Sequence, residues 1–72
     1  MRGALVGANL AGVDLDETNF NGADLTNANL SGTSLQETNF KNATLTGVNV
    51  TGATWHNTTC PDGSKHNTTS CV

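Results

Sequence analysis

The chain has little charge, and most of it is acidic. Three Lys or Arg (Arg2, Lys41, Lys65) stand against six Asp or Glu, for a net charge of −3 over 72 residues. A nucleic-acid clamp works by clustering cations that release counterions, and a polybasic membrane surface needs the same clusters. Neither is available here, so no nucleic-acid partner is expected. No apolar run approaches the roughly 18 residues of a transmembrane helix, and no charged-then-apolar leader opens the chain, so no membrane insertion is expected. A leader removed ahead of Met1 stays open. Catalytic groupings are also missing. His56 and His66 have no fixed Ser or Asp partner in view, and the glycines recur by fives as corners, not as a phosphate-cradling loop. The chain is therefore read as a non-enzyme that needs no cofactor. At this length an ordinary single core is marginal.

What the chain has instead is a period. A large apolar residue returns at every fifth position: Leu5, Leu10, Leu15, Phe20, Leu25, Leu30, Leu35, Phe40, Leu45, Val50 and Trp55. Five matches neither the 3.6 of a helix nor the 2.0 of a straight strand. On a straight strand an odd period would send successive centres to opposite faces. All of them point into one core only if the chain turns by the same angle once per repeat. An abundance of Thr, Asn and Gly would suggest disorder were the order of residues ignored, and the period overrules that.

Each five-residue unit divides into a side and a corner. Two residues before each centre sits a small or β-branched residue (Gly3, Ala8, Val13, Thr18, Ala23, Ala28, Thr33, Thr38, Ala43, Val48, Ala53), on the same face of an extended segment. Between the two stands mostly Asn or Asp, which favours turns. Two residues after the centre, Gly recurs at 7, 12, 22, 32, 47 and 52, where a bend calls for backbone freedom. A longer period lies over the short one: Asp16-Glu17-Thr18-Asn19-Phe20 returns twenty residues later as Gln36-Glu37-Thr38-Asn39-Phe40. Four units then make one turn, and residues 3 to 62 make three. Leu5 lies beneath Leu25 and Leu45, Leu15 and Leu35 beneath Trp55, and Phe20 and Phe40 beneath Cys60. Asn9, Asn29 and Asn49 form a column in which an amide ladder is expected.

The stretches Ala8-Asn9-Leu10-Ala11-Gly12, Ala23-Asp24-Leu25-Thr26-Asn27 and Ala28-Asn29-Leu30-Ser31-Gly32 closely resemble the A(D/N)LxG pattern of the pentapeptide-repeat family. The resemblance covers roughly five-sixths of the chain. It implies an all-β fold, a right-handed quadrilateral β-helix, and it supplies a hand that the spacing could not. Trp55 in place of Leu, Val13 and Val48 in place of Ala, and the empty position at Gly3 are the departures.

The pattern breaks at Pro61-Asp62-Gly63, a strong turn signal. Residues 1–62 are read as the coil and 63–72 as a C-terminal capping loop, since an open repeat end exposes apolar centres and unpaired backbone. A Cys60–Cys71 disulfide would staple this cap and imply an extracytoplasmic, oxidising location (secreted, periplasmic or cell surface). The segment from Trp55 to Gly63 also resembles the tail of pentapeptide-repeat proteins that look exported. Two alternatives stay open: free thiols, and a zinc set of His56, Cys60, His66 and Cys71, whose spacing matches no common finger. Asn-x-Ser/Thr sequons at Asn29, Asn42, Asn49, Asn57 and Asn67 are read as mostly composition. Glu17 and Glu37 would stack on the outer surface, a solvated corner before it is a cation site.

For function the reading is a structural module that self-associates through its coil ends. Met1 and Arg2 begin abruptly, and the first turn is expected to expose Leu5, Leu10, Leu15 and Phe20 with unpaired backbone, an edge that invites a second coil. Two such faces meeting give a dimer, and head-to-tail stacking gives a filament. Two alternatives remain: an adaptor docking a protein on a polar face, and the duplex-mimicking binders of type II topoisomerases found in the resembled family. Three turns span only about 15 Å at strand spacing, short for the latter.

Overall fold

The computed structural model describes residues 4–72. The expectations for Met1, Arg2 and Gly3 lie outside the described residues. The chain is a right-handed quadrilateral β-helix closed by a disulfide-linked cap. Every parallel pairing joins residues twenty apart: Ala4 with Asp24 and Asp24 with Thr44, Asn9 with Asn29 and Asn29 with Asn49, Asp14 with Ser34, and Asn19 with Asn39 and Asn39 with Thr59. Three levels of four sides follow. The sides are so short that most pair through a single residue. Continuous strands occur only late among the described residues: β1 (Ser34–Gln36), β2 (Thr54–His56), β3 (Thr58–Thr59) and β4 (Lys65–His66). Strand β1 pairs parallel with β2, placing Leu35 beside Trp55, and β3 pairs antiparallel with β4.

A unit disposes of its five backbone N–H groups in four ways, shown by residues 8–13 together with the side above them. Leu10 N and Gly12 N donate upward to the carbonyls of Asn29 and Ser31, at 2.8 Å each. One level up, Asn29 N donates downward to Ala8 O at 2.8 Å. Val13 N closes the corner onto Leu10 O at 3.1 Å. The remaining donor, Ala11 N, is turned outward and has no carbonyl to meet. It donates to the side chain of Asn9, 3.2 Å from Oδ1.

That last bond repeats around the coil. Oδ1 of Asp14, Asn19, Asp24, Asn29, Asn39 and Asn49 each accepts the N–H two residues on, at 2.9–3.1 Å. These are Asx turns. The amide ladder expected of the stacked Asn column does not form, and no Asn–Asn side-chain bond is found among the described residues. Each Asn Oδ1 turns instead to the N–H two residues on in its own unit. Where Ser34 replaces Asn at this position, Asp16 from the turn below substitutes for it. Its Oδ1 accepts Gln36 N at 2.8 Å and Ser34 Oγ at 2.6 Å.

The corners demand a left-handed backbone at the residue two after each centre. Gly supplies it at 7, 12, 22, 32, 47 and 52. The other corners force it on Glu17 (φ 59°), Asn27 (61°), Glu37 (57°), Asn42 (62°) and Asn57 (51°). Asn tolerates this region, whereas a Glu there carries the steric cost of its Cβ.

Inside, the centres fill the coil as columns. Leu25, Leu30, Leu35 and Phe40 are fully buried, and the rings of Phe20 and Phe40 stack at 5.3 Å with 4° between planes. Trp55 closes the top of the core and leans over Phe40, 6.1 Å away at 48°. Three buried threonines at the small positions carry a hydroxyl into this interior, and each is satisfied. Thr38 and Thr58 Oγ1 donate to the Leu15 and Leu35 carbonyls, and Thr33 Oγ1 to Leu30 O, all at 2.7 Å.

The Glu37 corner yields a stability test. Glu37→Gly removes the left-handed strain of about 1–2 kcal/mol and gives back part of it as unfolded-state entropy. The expected net gain is about 0.5–1 kcal/mol, read as a higher urea midpoint at an unchanged slope.

Candidate functional site

Two features stand outside the repeating lattice: the edges of the coil and the cap. At the first turn, the N–H groups of Asn9, Asp14 and Asn19 point away from the lattice and have no backbone partner among the described residues. The apolar part of this edge is narrower than expected. Phe20 is 1% exposed and Leu15 7%, so neither offers a stacking surface, while Leu5 and Leu10 are half-buried. Phe20 is lost to the edge because its ring lies flat against Phe40. Val13, at a small inward position, is 41% exposed.

The opposite end is only partly closed. After Pro61 the chain does not climb to a fourth turn but doubles back, with Thr58 opposite His66 and Thr59 opposite Lys65. Cys60 N donates to Ser64 O at 2.7 Å, and Gly63 N to Cys60 O at 2.8 Å. Asp62 Oδ1 fixes the bend by accepting Ser64 N at 2.9 Å and Ser64 Oγ at 2.6 Å. Cys71 is bonded to Cys60, which is buried at the head of the phenylalanine column, and packs against the core. The sides at 43–47 and 48–52 gain no such cover for their backbone. The N–H groups of Leu45, Gly47, Val50 and Gly52 have no backbone partner among the described residues. Leu45 is buried and Val50 half-buried beneath them.

Of the four residues in the sequence-derived zinc set, the fold brings three together. Cys60, His66 and Cys71 offer ligand atoms within 4.8 Å of one another. His56 is not among them. It ends β2 as an exposed side-wall residue, and Gln36 of β1 is its register partner. Glu17 and Glu37 occupy equivalent corners one turn apart, both exposed, their N–H groups donating to Gln36 O and His56 O. No motif marked Asp16 in advance. The only signal was the absence of Asn or Asp at position 34.

Three carboxyls are held below their ordinary value of 3.8, each first by a hydroxyl: Asp16 by Ser34, Asp24 by Thr26 and Asp62 by Ser64. Backbone N–H donors from Gln36, Thr26 and Ser64 add to the effect. A carboxyl with a depressed folded-state pKa stabilises the fold at pH values above its unfolded pKa. That contribution is lost as pH falls through the folded value. The urea midpoint is therefore expected to fall below about pH 4. Asp16→Asn, which keeps an acceptor for Gln36 N, should make that fall shallower. The staple gives a second test. Cys60→Ser with Cys71→Ser should cost about 2–3 kcal/mol in the chain-entropy account. The native chain isolated without reductant should weigh two hydrogens less than the reduced form.

The repeat and the fold both have known counterparts. The family profile for pentapeptide repeats matches with 8 copies, over residues 4–42 and 23–58. Among solved structures, the chain superposes with a TM-score of 0.86 on HetL, a pentapeptide repeat protein involved in heterocyst differentiation regulation from the cyanobacterium Nostoc sp. strain PCC 7120. The two are 33% identical, and the match covers 92% of this chain and 32% of HetL. The chain thus spans about a third of that protein's length. No curated protein matches it in sequence. With eight repeat copies in register and the coil superposed almost end to end, the chain belongs to the pentapeptide-repeat family.

Proposed function

We propose that the protein is a non-enzymatic assembly module that associates with a second copy through the edge of its first turn. The observation that carries this reading is the open backbone of that turn beside the half-buried Leu5 and Leu10. An unpaired strand edge next to apolar side chains is a template for further pairing. The coil already shows how it is satisfied, since each inner turn meets the next through the same donors and acceptors. Further repeats or a second copy would meet this need by the same chemistry.

The geometry of the cap chooses between the two modes of stacking. In a head-to-tail filament the next coil would rest on the third turn, where residues 63–72 already pair with the sides at 57–60. Among the described residues no cap covers the first turn, and two first turns facing each other would close with two-fold symmetry. The dimer is favoured for that reason. Leu15 and Phe20 drop out of the interface, leaving Leu5 and Leu10 as its apolar part. The Cys60–Cys71 bond supports placing this assembly in an oxidising, extracytoplasmic compartment. Heterocyst regulation, stated for HetL, is not carried over to a chain a third as long.

Mass measured by light scattering across a dilution series provides the test. A dimer that dissociates on dilution is expected, and a strict monomer at every concentration ends the proposal. Leu10→Asp should shift the association at least tenfold towards monomer while the cap disulfide still forms. An unchanged dimer would place the interface elsewhere.

A further inference from the structure

The cap contains a cluster that the staple does not account for. A ring nitrogen of His66 and the sulfurs of Cys60 and Cys71 lie within 4.8 Å of one another. We propose that, once the Cys60–Cys71 bond is reduced, these three residues bind a zinc-class divalent metal, so that the cap closes by disulfide or by metal but never by both. This inference is independent of the assembly reading above.

The donor chemistry is the first argument. Two thiolates and one imidazole are a borderline-soft set, suited to a tetrahedral d10 ion and poorly suited to magnesium or calcium. The second is anchorage. Cys60 is buried on the coil with its N–H bonded to Ser64 O, and His66 is held in β4 opposite Thr58. Cys71 lies in the final loop, 5.4 Å from Cys60 between Cα atoms. Rotation about the Cα–Cβ bonds can part the sulfurs to the roughly 3.7 Å that a tetrahedron with 2.3 Å arms requires.

The third argument is the support around the ring. A metal-bound histidine needs its other nitrogen to be held by an oxygen. His66 has one on each side: Ser70 O lies 3.2 Å from Nδ1, and Ser64 Oγ lies 3.2 Å from Nε2. Whichever nitrogen faces the metal, the other has an oxygen within reach. His66 and Cys71 are only half-buried, so a fourth position would open to solvent and accept water or an external ligand.

The redox step balances with a dithiol reductant. The dithiol gives up two electrons and two protons and leaves as its own disulfide, while the bond between Cys60 Sγ and Cys71 Sγ breaks to two thiols. Metal binding then forms two metal–sulfur bonds and releases those two protons to water. The oxidised cap has no thiolate to offer.

Cobalt(II) titration of phosphine-reduced protein reads the site directly. One equivalent should bind, with thiolate-to-cobalt charge transfer and tetrahedral d–d absorption, and zinc should bleach both. Oxidised protein should show neither band. His66→Ala, and separately His66→Gln, should weaken cobalt binding at least about tenfold, the least that even a supporting residue contributes. His56→Ala should titrate like the parent. No absorption in the reduced parent, or equal affinity in the His66 variants, would overturn the proposal. Circular dichroism taken alongside reports whether the coil persists on reduction. A coil that persists with no metal bound also counts against it.

Discussion

The coil depends on an accounting of backbone N–H groups. In a helix one geometry serves every donor, and in a flat sheet alternate donors meet the strands on either side. A five-residue side with a corner can do neither. It sends two donors up, one down and one across the corner, leaving one without a carbonyl. The Asx side chain supplies the missing acceptor, at 3.2 Å for Asn9 and 2.9 Å for Asn39. The apolar centres drive burial, but burial alone would permit many collapsed shapes. Pairing these donors in the inner turns is what selects this one. Asp16 makes the point clearly. When Ser34 cannot reach the N–H two residues on, an acid from the turn below accepts it instead.

Most of the fold was legible because its signals are one-dimensional. The five-residue period names the sides, the twenty-residue echo names the turns, and the pairing of residues i and i+20 follows with Phe20 beneath Phe40 and Leu35 beneath Trp55. What stayed illegible depends on orientation. Stacked Asn residues suggest a ladder, but each Oδ1 accepts the outward N–H of its own unit. Leu15 and Phe20 look exposed by their place in the first turn, yet ring stacking and core width bury them. His56 shares a sequence pattern with His66 and none of its surroundings. The strand period points His56 out of the coil, and the reversal at Pro61 carries His66 back over it.

Cap and coil are joined where the sequence period ends. Cys60 is both the last centre of the phenylalanine column and the anchor of the staple, so one side chain ends the core and begins its lid. Its partner Cys71 reaches the core from a loop with no lattice bonds of its own. The cap is therefore the part of the chain whose closure rests on side-chain chemistry more than on backbone pairing. Only Asn57, Thr58, Thr59 and Cys60 tie it to the third turn through the main chain.

The same accounting says where functional information can reside. In the inner units the centre and the small residue are buried, an Asx residue where present is committed to its own turn, and the corner is constrained by its positive φ. The residue just after the centre alone is free of structural duty. Read up the four sides, those positions are Val6, Thr26 and Thr46; Ala11, Ser31 and Thr51; Asp16, Gln36 and His56; and Asn21 with Lys41. Even here Asp16 has been taken into the lattice, and Thr26 and Thr51 each share an Asx oxygen with the backbone, with Thr26 Oγ1 and Thr51 Oγ1 donating to it at 2.6 and 2.8 Å. At these positions the walls are left with mostly short side chains, Asp16, Gln36, His56 and Lys41 excepted. Open backbone donors and unrepeated chemistry are found at the two ends of the described coil. At one end that means Leu5 and Leu10 beside an unpaired edge, and at the other it means the cysteine–histidine cluster of the cap.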